Sequence, residues 1–170
     1  DQLSGVPPIC SHFSERLDLS HCVAAAPDIS RAKVTEAYAR HLGLPLVVID
    51  NRLTAEGETR VHGVIGAVEG RDVLLFDDEI ITGDSILDGA QAVLARGARS
   101  VHAGCVHGTL AAGASQRIQD SSLESLVVTD TIPRRAGQEA AKLNTVSVAE
   151  HFADAIRAIH EETSISTLFK

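Results

Sequence analysis

The chain has 170 residues, a formal net charge of -8, and 44% hydrophobic, 22% charged and 3% aromatic residues. That length can bury one core, and the apolar content is too high for a disordered chain. The acidic balance argues against nucleic acid or an anionic membrane as partner, and no apolar run approaches the ~20 residues needed to cross a bilayer.

Asp1-Gln2-Leu3-Ser4-Gly5 has no basic region and no apolar stretch, so it does not read as a signal peptide. The chain opens without Met and contains none, so a longer gene product is expected. An early helix covers Val6 to Leu17. His21 to Ala26 is a short apolar run closed by Pro27-Asp28. Arg31 to Leu42 reads as a helix with Val34, Ala37, Tyr38 and Leu42 on one stripe and Gly43 as its stop. Leu46-Val47-Val48-Ile49 reads as a strand buried on both faces. Asn51 to Arg60 is polar and reads as an exposed loop. Val61 to Ile65 and Val73 to Phe76 are the next strands, with Glu69-Gly70-Arg71-Asp72 turning between them.

Gly83 to Arg96 is helical in pattern, with Ile86, Leu87, Ala90, Val93 and Leu94 as its stripe and Gly97 as its stop. Ser100 to Val106 is a strand, Ala111 to Gln119 a weaker helix, and Leu126-Val127-Val128 another strand. Arg134 to Lys142 is polar and reads as a mobile loop. Ser147 opens the last helix with Glu150 three residues on, the spacing of a capping box. Val148, Phe152, Ile156 and Ile159 are its apolar face. The alternation predicts a single α/β domain over 1–170, with a mostly parallel sheet and helices on both sides.

Cys10, Cys22 and Cys105 form no CxxC pair and no disulfide framework, which points to a reducing, cytoplasmic setting. Cys105 lies in an apolar run and reads as a core thiol. The eight His residues show no metal-site spacing.

The chemistry concentrates in Val73-Leu74-Leu75-Phe76-Asp77-Asp78-Glu79-Ile80-Ile81-Thr82-Gly83-Asp84-Ser85. A strand runs into two carboxylates, then a Thr-Gly-x-Ser loop, then a helix. Ligands of open α/β sheets bind beyond the carboxyl ends of strands, and loop N–H groups at a helix start accept an anion. Thr82 and Ser85 add hydroxyls, and Gly83 admits close approach. Asp77 and Asp78 suit the hydroxyls of a sugar phosphate or a hydrated Mg²⁺. The plainer alternative is that the acids end a strand and Ser85 caps a helix.

This segment resembles the phosphoribosyl-diphosphate (PRPP) binding motif of type I phosphoribosyltransferases and PRPP synthetases. The whole chain resembles the C-terminal half of a ribose-phosphate pyrophosphokinase. The likeness includes Ala26-Pro27-Asp28-Ile29, Ile49-Asp50-Asn51-Arg52, Ile65-Gly66-Ala67-Val68-Glu69-Gly70, His107-Gly108, Val127-Val128-Thr129-Asp130-Thr131-Ile132-Pro133 and the closing Ser164-Ile165-Ser166-Thr167-Leu168-Phe169. The resemblance implies a three-layer phosphoribosyltransferase-like fold. It also implies the reaction of ATP with ribose 5-phosphate to give PRPP and AMP, with Mg²⁺. The ribose-5-phosphate role falls on Asp77, Asp78, Ile81, Thr82, Gly83, Asp84 and Ser85. A pyrophosphate loop falls on Asp28, Ile29, Ser30 and Arg31, with Asp28 as the metal ligand. A catalytic loop falls on Asn51 and Arg52. An N-terminal synthetase domain and a homo-oligomer are implied as partners.

Four departures stand out. The family's loop Lys is Asn51, and its second following Arg is Leu53, leaving Arg52. Loss of a preorganised cation costs about 10²–10³ in rate. The Gly-Gly of the pyrophosphate loop is Ser30-Arg31, where Arg31 could restore charge. Ile81 stands where an acid is usual, and Asp84 where a small residue is usual. Three readings follow, in this order: the sugar-phosphate domain of a divergent synthetase, a non-catalytic regulatory or assembly subunit, and a stand-alone phosphoribosyltransferase, for which no base-binding hood is visible.

Overall fold

The computed structural model describes residues 3–53 and 59–166, leaving aside the side chains of 52–61. Helix α1 (Val6–Ser14) leads to β1 (Cys22–Ala26), α2 (Ala32–Leu42), β2 (Leu46–Leu53) and β3 (Thr59–Ile65). Then come β4 (Asp72–Ile80), α3 (Asp84–Leu94), β5 (Ser100–Gly108), α4 (Ala114–Asp120), β6 (Ser125–Thr129), β7 (Leu143–Val146) and α5 (Ala149–His160). Among the described residues the strands form one sheet in the order β3-β2-β1-β4-β5-β6-β7. Every neighbouring pair is parallel except β2–β3, which is antiparallel. None of the described helices is long and apolar enough to cross a membrane.

The period of two along each strand divides the core between the faces. Val73 and Leu75 of β4 join Val23, Ala25, Val101 and Ala103 against Ile86, Ala90 and Val93 of α3. Leu74 and Phe76 join Cys22 and Ala24 against Ile9 and Phe13 of α1 and Tyr38 of α2. Each fully buried Leu or Phe contributes about 1.5–3 kcal/mol, so burial rather than helix propensity holds these short helices. Gly104 allows α1 to lie close to the sheet. A Cβ there would stand 2.8 Å from Cγ2 of Ile9 and 3.1 Å from Cδ1 of Phe76. All three thiols are buried, and burial pushes them up, Cys10 to about 12, as inert core groups.

Several expectations are corrected. Asn51–Leu53 continue β2 and Thr59–Arg60 begin β3, paired antiparallel, so both ends of the expected loop belong to strands; its remaining residues, 54–58, lie outside the described residues. β2 is buried at Val47 and Ile49, but Leu46 is 37% exposed and Val48 half-buried, because no helix fully covers that face near the edge. The buried face of α2 is Thr35, Tyr38 and Ala39, while Val34 is turned to solvent. The weak helix begins later than expected, at Ala114, after Gly113.

The segment before β7 is pinned by its own polar side chains. Gln138 donates from Nε2 to the carbonyls of Thr109 and Leu110, and the Ser115 hydroxyl donates to the Gln138 carbonyl. β7 itself carried too little apolar pattern to be foreseen. The capping box does not form either. The Ser147 hydroxyl accepts the Ala149 N–H at 3.2 Å and donates to Asp130 at 2.5 Å, and Asp130 also accepts the Val148 N–H at 2.9 Å, so the helix start is served by Ser147 and by Asp130 after β6. The apolar stripe of α5 is largely open. Phe152 is 50% exposed, and Ile156 and Ile159 are 66% exposed.

Candidate functional site

β4 does not stop at Phe76. It continues through Asp77, Asp78 and Glu79 to Ile80, still paired with β5. Successive residues of a strand point to opposite faces, so Asp77 and Asp78 part company. Asp77 follows Leu75 to the α3 face and is buried. Asp78 follows Phe76 to the side of Tyr38.

After Ile80 the chain turns through Ile81 and Thr82 to Gly83, whose φ of 86° caps the start of α3. The first N–H groups of a helix have no intrahelical partner, and they carry the positive end of its dipole. A cleft of about 210 Å³ lies at this point, lined by Arg31, Asp77, Glu79 and residues 80–86. The structure thus brings together Arg31, Asp77, Ile81, Thr82, Gly83, Asp84 and Ser85. Asp78 instead lines a larger cavity of about 570 Å³ on the other face, with Tyr38, Val34, His107, Thr131 and Phe152.

Arg31 ties the two carboxylates. It ends the short 3-10 turn Ile29–Arg31 after β1. Its Nε lies 3.2 Å from Oδ1 of Asp77, and its Nη1 2.5 Å from Oδ2 of Asp78. Asp77 Oδ1 also accepts the Asp78 N–H at 2.8 Å. Asp28 accepts the Ser30 hydroxyl at 2.5 Å and the Arg31 N–H at 3.1 Å, so it folds the turn that presents Arg31. Ile29 is 57% exposed and meets solvent. Asn51 donates from Nδ2 to the Pro27 carbonyl at 2.8 Å, locking β2 to the same turn. Its Oδ1 is buried with no hydrogen-bond partner among the described residues. Arg52 belongs to β2, and its side chain lies outside the described residues.

Two neighbours escaped the sequence reading. Arg117 of α4 pairs with Asp84 and reaches the Thr82 carbonyl at 3.3 Å. It balances the charge of Asp84, which stands where a small residue is usual, while Asp84 accepts the Thr82 hydroxyl at 2.6 Å. Glu79 lines the cleft and accepts the Thr109 hydroxyl at 2.6 Å. Arg117 is remote in sequence and carries no motif. Glu79 was legible only had the strand been extended to Ile80.

Burial pushes the Asp77 carboxyl up to about 7, helped by the neighbouring Asp78 carboxyl group and opposed by the Asp78 N–H and by Arg31. Partial burial acts on Asp78 too, but the bond to Asp77 and the Arg31 guanidinium hold it below the usual range. The folded chain therefore keeps a proton on Asp77 that the unfolded chain loses near pH 4. Stability contributed by this group is present below pH 4 and is lost as pH rises to about 7. Thermal unfolding followed across that window is expected to show a declining contribution that Asp77→Asn removes. An identical pH dependence in the variant contradicts the assignment.

Asp28, Asp77 and Asp78 are all engaged by protein donors, and among the described residues no group of three or more His, Cys, Asp or Glu side chains is arranged to hold a metal. As these side chains stand, the set does not fit a magnesium ion at the two aspartates.

A mostly parallel sheet whose central strand runs through a glycine turn into a helix start is the arrangement of a phosphoribosyltransferase-like fold. The comparisons agree. The chain belongs to the phosphoribosyl synthetase-associated domain family, matched over residues 55–170. A ribose-phosphate pyrophosphokinase of Clostridium acetobutylicum is 35% identical over 100% of this chain and 54% of that protein. One of Rhodopirellula baltica is 38% identical, over 100% of this chain and 54% of that protein. The chain thus spans about half the length of the curated relatives it matches. The crystal structure of phosphoribosylpyrophosphate synthetase from Mycobacterium smegmatis superposes with a TM-score of 0.80 at 30% identity, over 90% of this chain and 49% of that one. A hypoxanthine phosphoribosyltransferase of Staphylococcus aureus (TM-score 0.51, 13% identity, 82% of this chain and 71% of that one) shares the fold alone.

Proposed function

We propose that this chain is the ribose-5-phosphate-binding domain of a divergent PRPP synthetase. The observation that carries this is the single cleft joining Asp77 to the 82–85 loop at the start of α3. The 5-phosphate would sit against the loop N–H groups and the Ser85 hydroxyl, and charge-assisted bonds of this kind are the strong ones. Asp77 would accept a ring hydroxyl. In the synthetase reaction, transfer of a pyrophosphoryl group from ATP to the sugar depends on in-line positioning and on neutralising charge. This chain would position the sugar. The nucleotide, with its magnesium, would be held with an N-terminal synthetase domain, and Arg52 is the loop cation left to meet the phosphates. Calorimetry with ribose 5-phosphate is expected to give 1:1 binding. Asp77→Ala is expected to weaken it about 10–100-fold, the loss of one hydrogen bond to a charged group, with the fold retained. Absence of heat with the wild type sinks the reading, and unchanged affinity in the variant removes Asp77 from the site.

Arg31 favours a second reading, binding without catalysis, as in an assembly or regulatory subunit. Its guanidinium spans Asp77 and Asp78, while Asn51 bonds backbone instead of supplying charge. AMP release from ATP and ribose 5-phosphate by the full gene product separates the two.

The open face of α5 supports association, with an N-terminal synthetase domain or further copies of the chain. An apolar stripe with Ile156 and Ile159 each 66% exposed is unusual on a lone domain. In the full gene product, Ile156→Asp is expected to lower the oligomer mass measured by sedimentation while leaving the unfolding temperature of the isolated domain within about 2 °C. An unchanged mass places the interface elsewhere.

A further inference from the structure

We propose that Arg31 is a resident counter-cation that takes the place of a divalent metal at Asp77 and Asp78, so that the cleft accepts a phosphorylated sugar without magnesium. The part that concerns the sugar rests on the proposed function; the part that concerns the metal does not.

The guanidinium uses its planar fork. Nε meets Asp77 at 3.2 Å and Nη1 meets Asp78 at 2.5 Å, so one rigid group satisfies carboxylates that their strand sends to opposite faces. The group is held from behind. Asp28 takes the Arg31 N–H and the Ser30 hydroxyl, and Asn51 fastens the Pro27 carbonyl. The Arg31 backbone, at φ -88° and ψ -6°, is ordinary right-handed geometry, so a side chain is carried there without strain. Glycine at this position would leave both carboxylates without this cation. Arg31 also lines the cleft, so its positive charge faces any ligand that enters. A magnesium ion brought to the same carboxylates would have to displace the guanidinium or sit against it, and like charges at such range repel. Arg31 cannot lose its proton under ordinary conditions, so the counter-charge is permanent.

The test uses Mn²⁺ as a magnesium probe, its binding read by electron paramagnetic resonance, on wild type, Arg31→Gly and Arg31→Gln. Arg31→Gln keeps length and packing if the glycine variant folds poorly. Wild type is expected to bind Mn²⁺ at least about tenfold more weakly than either variant. Calorimetry is expected to give wild type the same affinity for ribose 5-phosphate in EDTA as in Mg²⁺, whereas the variants bind it more tightly with Mg²⁺ than without. Equal Mn²⁺ affinity in all three proteins overturns the proposal, as does loss of sugar-phosphate binding by wild type on chelation. If no protein binds ribose 5-phosphate, the proposed function falls, and the Mn²⁺ comparison still decides what Arg31 does.

Discussion

Replacing Phe76 by alanine is expected to destabilise the domain by about 3–5 kcal/mol, the usual cost of removing a buried aromatic ring. Phe76 is fully buried one residue before Asp77. Its ring stacks on Tyr38 at 4.1 Å, with 7° between planes, and meets Phe13 edge-on at 5.8 Å. Three elements therefore converge on it: β4, α1 and α2. The cavity left by alanine has little to fill it, because its other wall is the backbone at Gly104 and the hydroxyl of Tyr38 has no hydrogen-bond partner among the described residues. For a domain of this size the loss corresponds to a fall of roughly 6–20 °C in unfolding temperature. Calorimetric or circular-dichroism melting measures it. A shift below about 2 °C would mean that the aromatic layer is not what seats the central strand.

The second large effect is on the loop. Gly83→Val is expected to reduce ribose-5-phosphate affinity by about tenfold to a hundredfold. Space is not the obstacle, since a Cβ at Gly83 would meet Leu87 Cδ1 at an ordinary 3.8 Å. The obstacle is the backbone, whose φ of 86° a β-branched residue adopts only under strain. Relieving that strain rotates the peptide groups on either side, and those are the N–H groups the phosphate is proposed to meet. Melting temperature should change far less than affinity, because the loop contributes few buried contacts. Undiminished binding by the valine variant would show that the loop conformation is not what selects the anion.

Sheet and helix order were legible because apolar runs and glycine stops sit where β1, α2, β4, α3 and β5 lie. The errors have physical causes. The strand β4 outlasts its apolar run, since Asp77 is paid for by Arg31 rather than by hydrophobic contact. The turn Ile29–Arg31 was legible as a motif, but its closure onto β4 depends on a contact between residues 47 positions apart, which no local pattern encodes. Arg117, which balances Asp84, was hidden for the same reason. The apolar stripe of α5 was read correctly as a stripe. Periodicity shows which side of a helix is apolar and is silent on whether this chain covers it.

The account depends most on where the phosphate goes, and amide chemical shifts report that directly. In a two-dimensional ¹⁵N–¹H titration of the labelled protein with ribose 5-phosphate, the account expects the largest shifts at the N–H groups of Gly83, Asp84 and Ser85, saturating with one ligand per chain. Saturable shifts centred instead on Tyr38 and Thr131, or no shift at the start of α3, would contradict it.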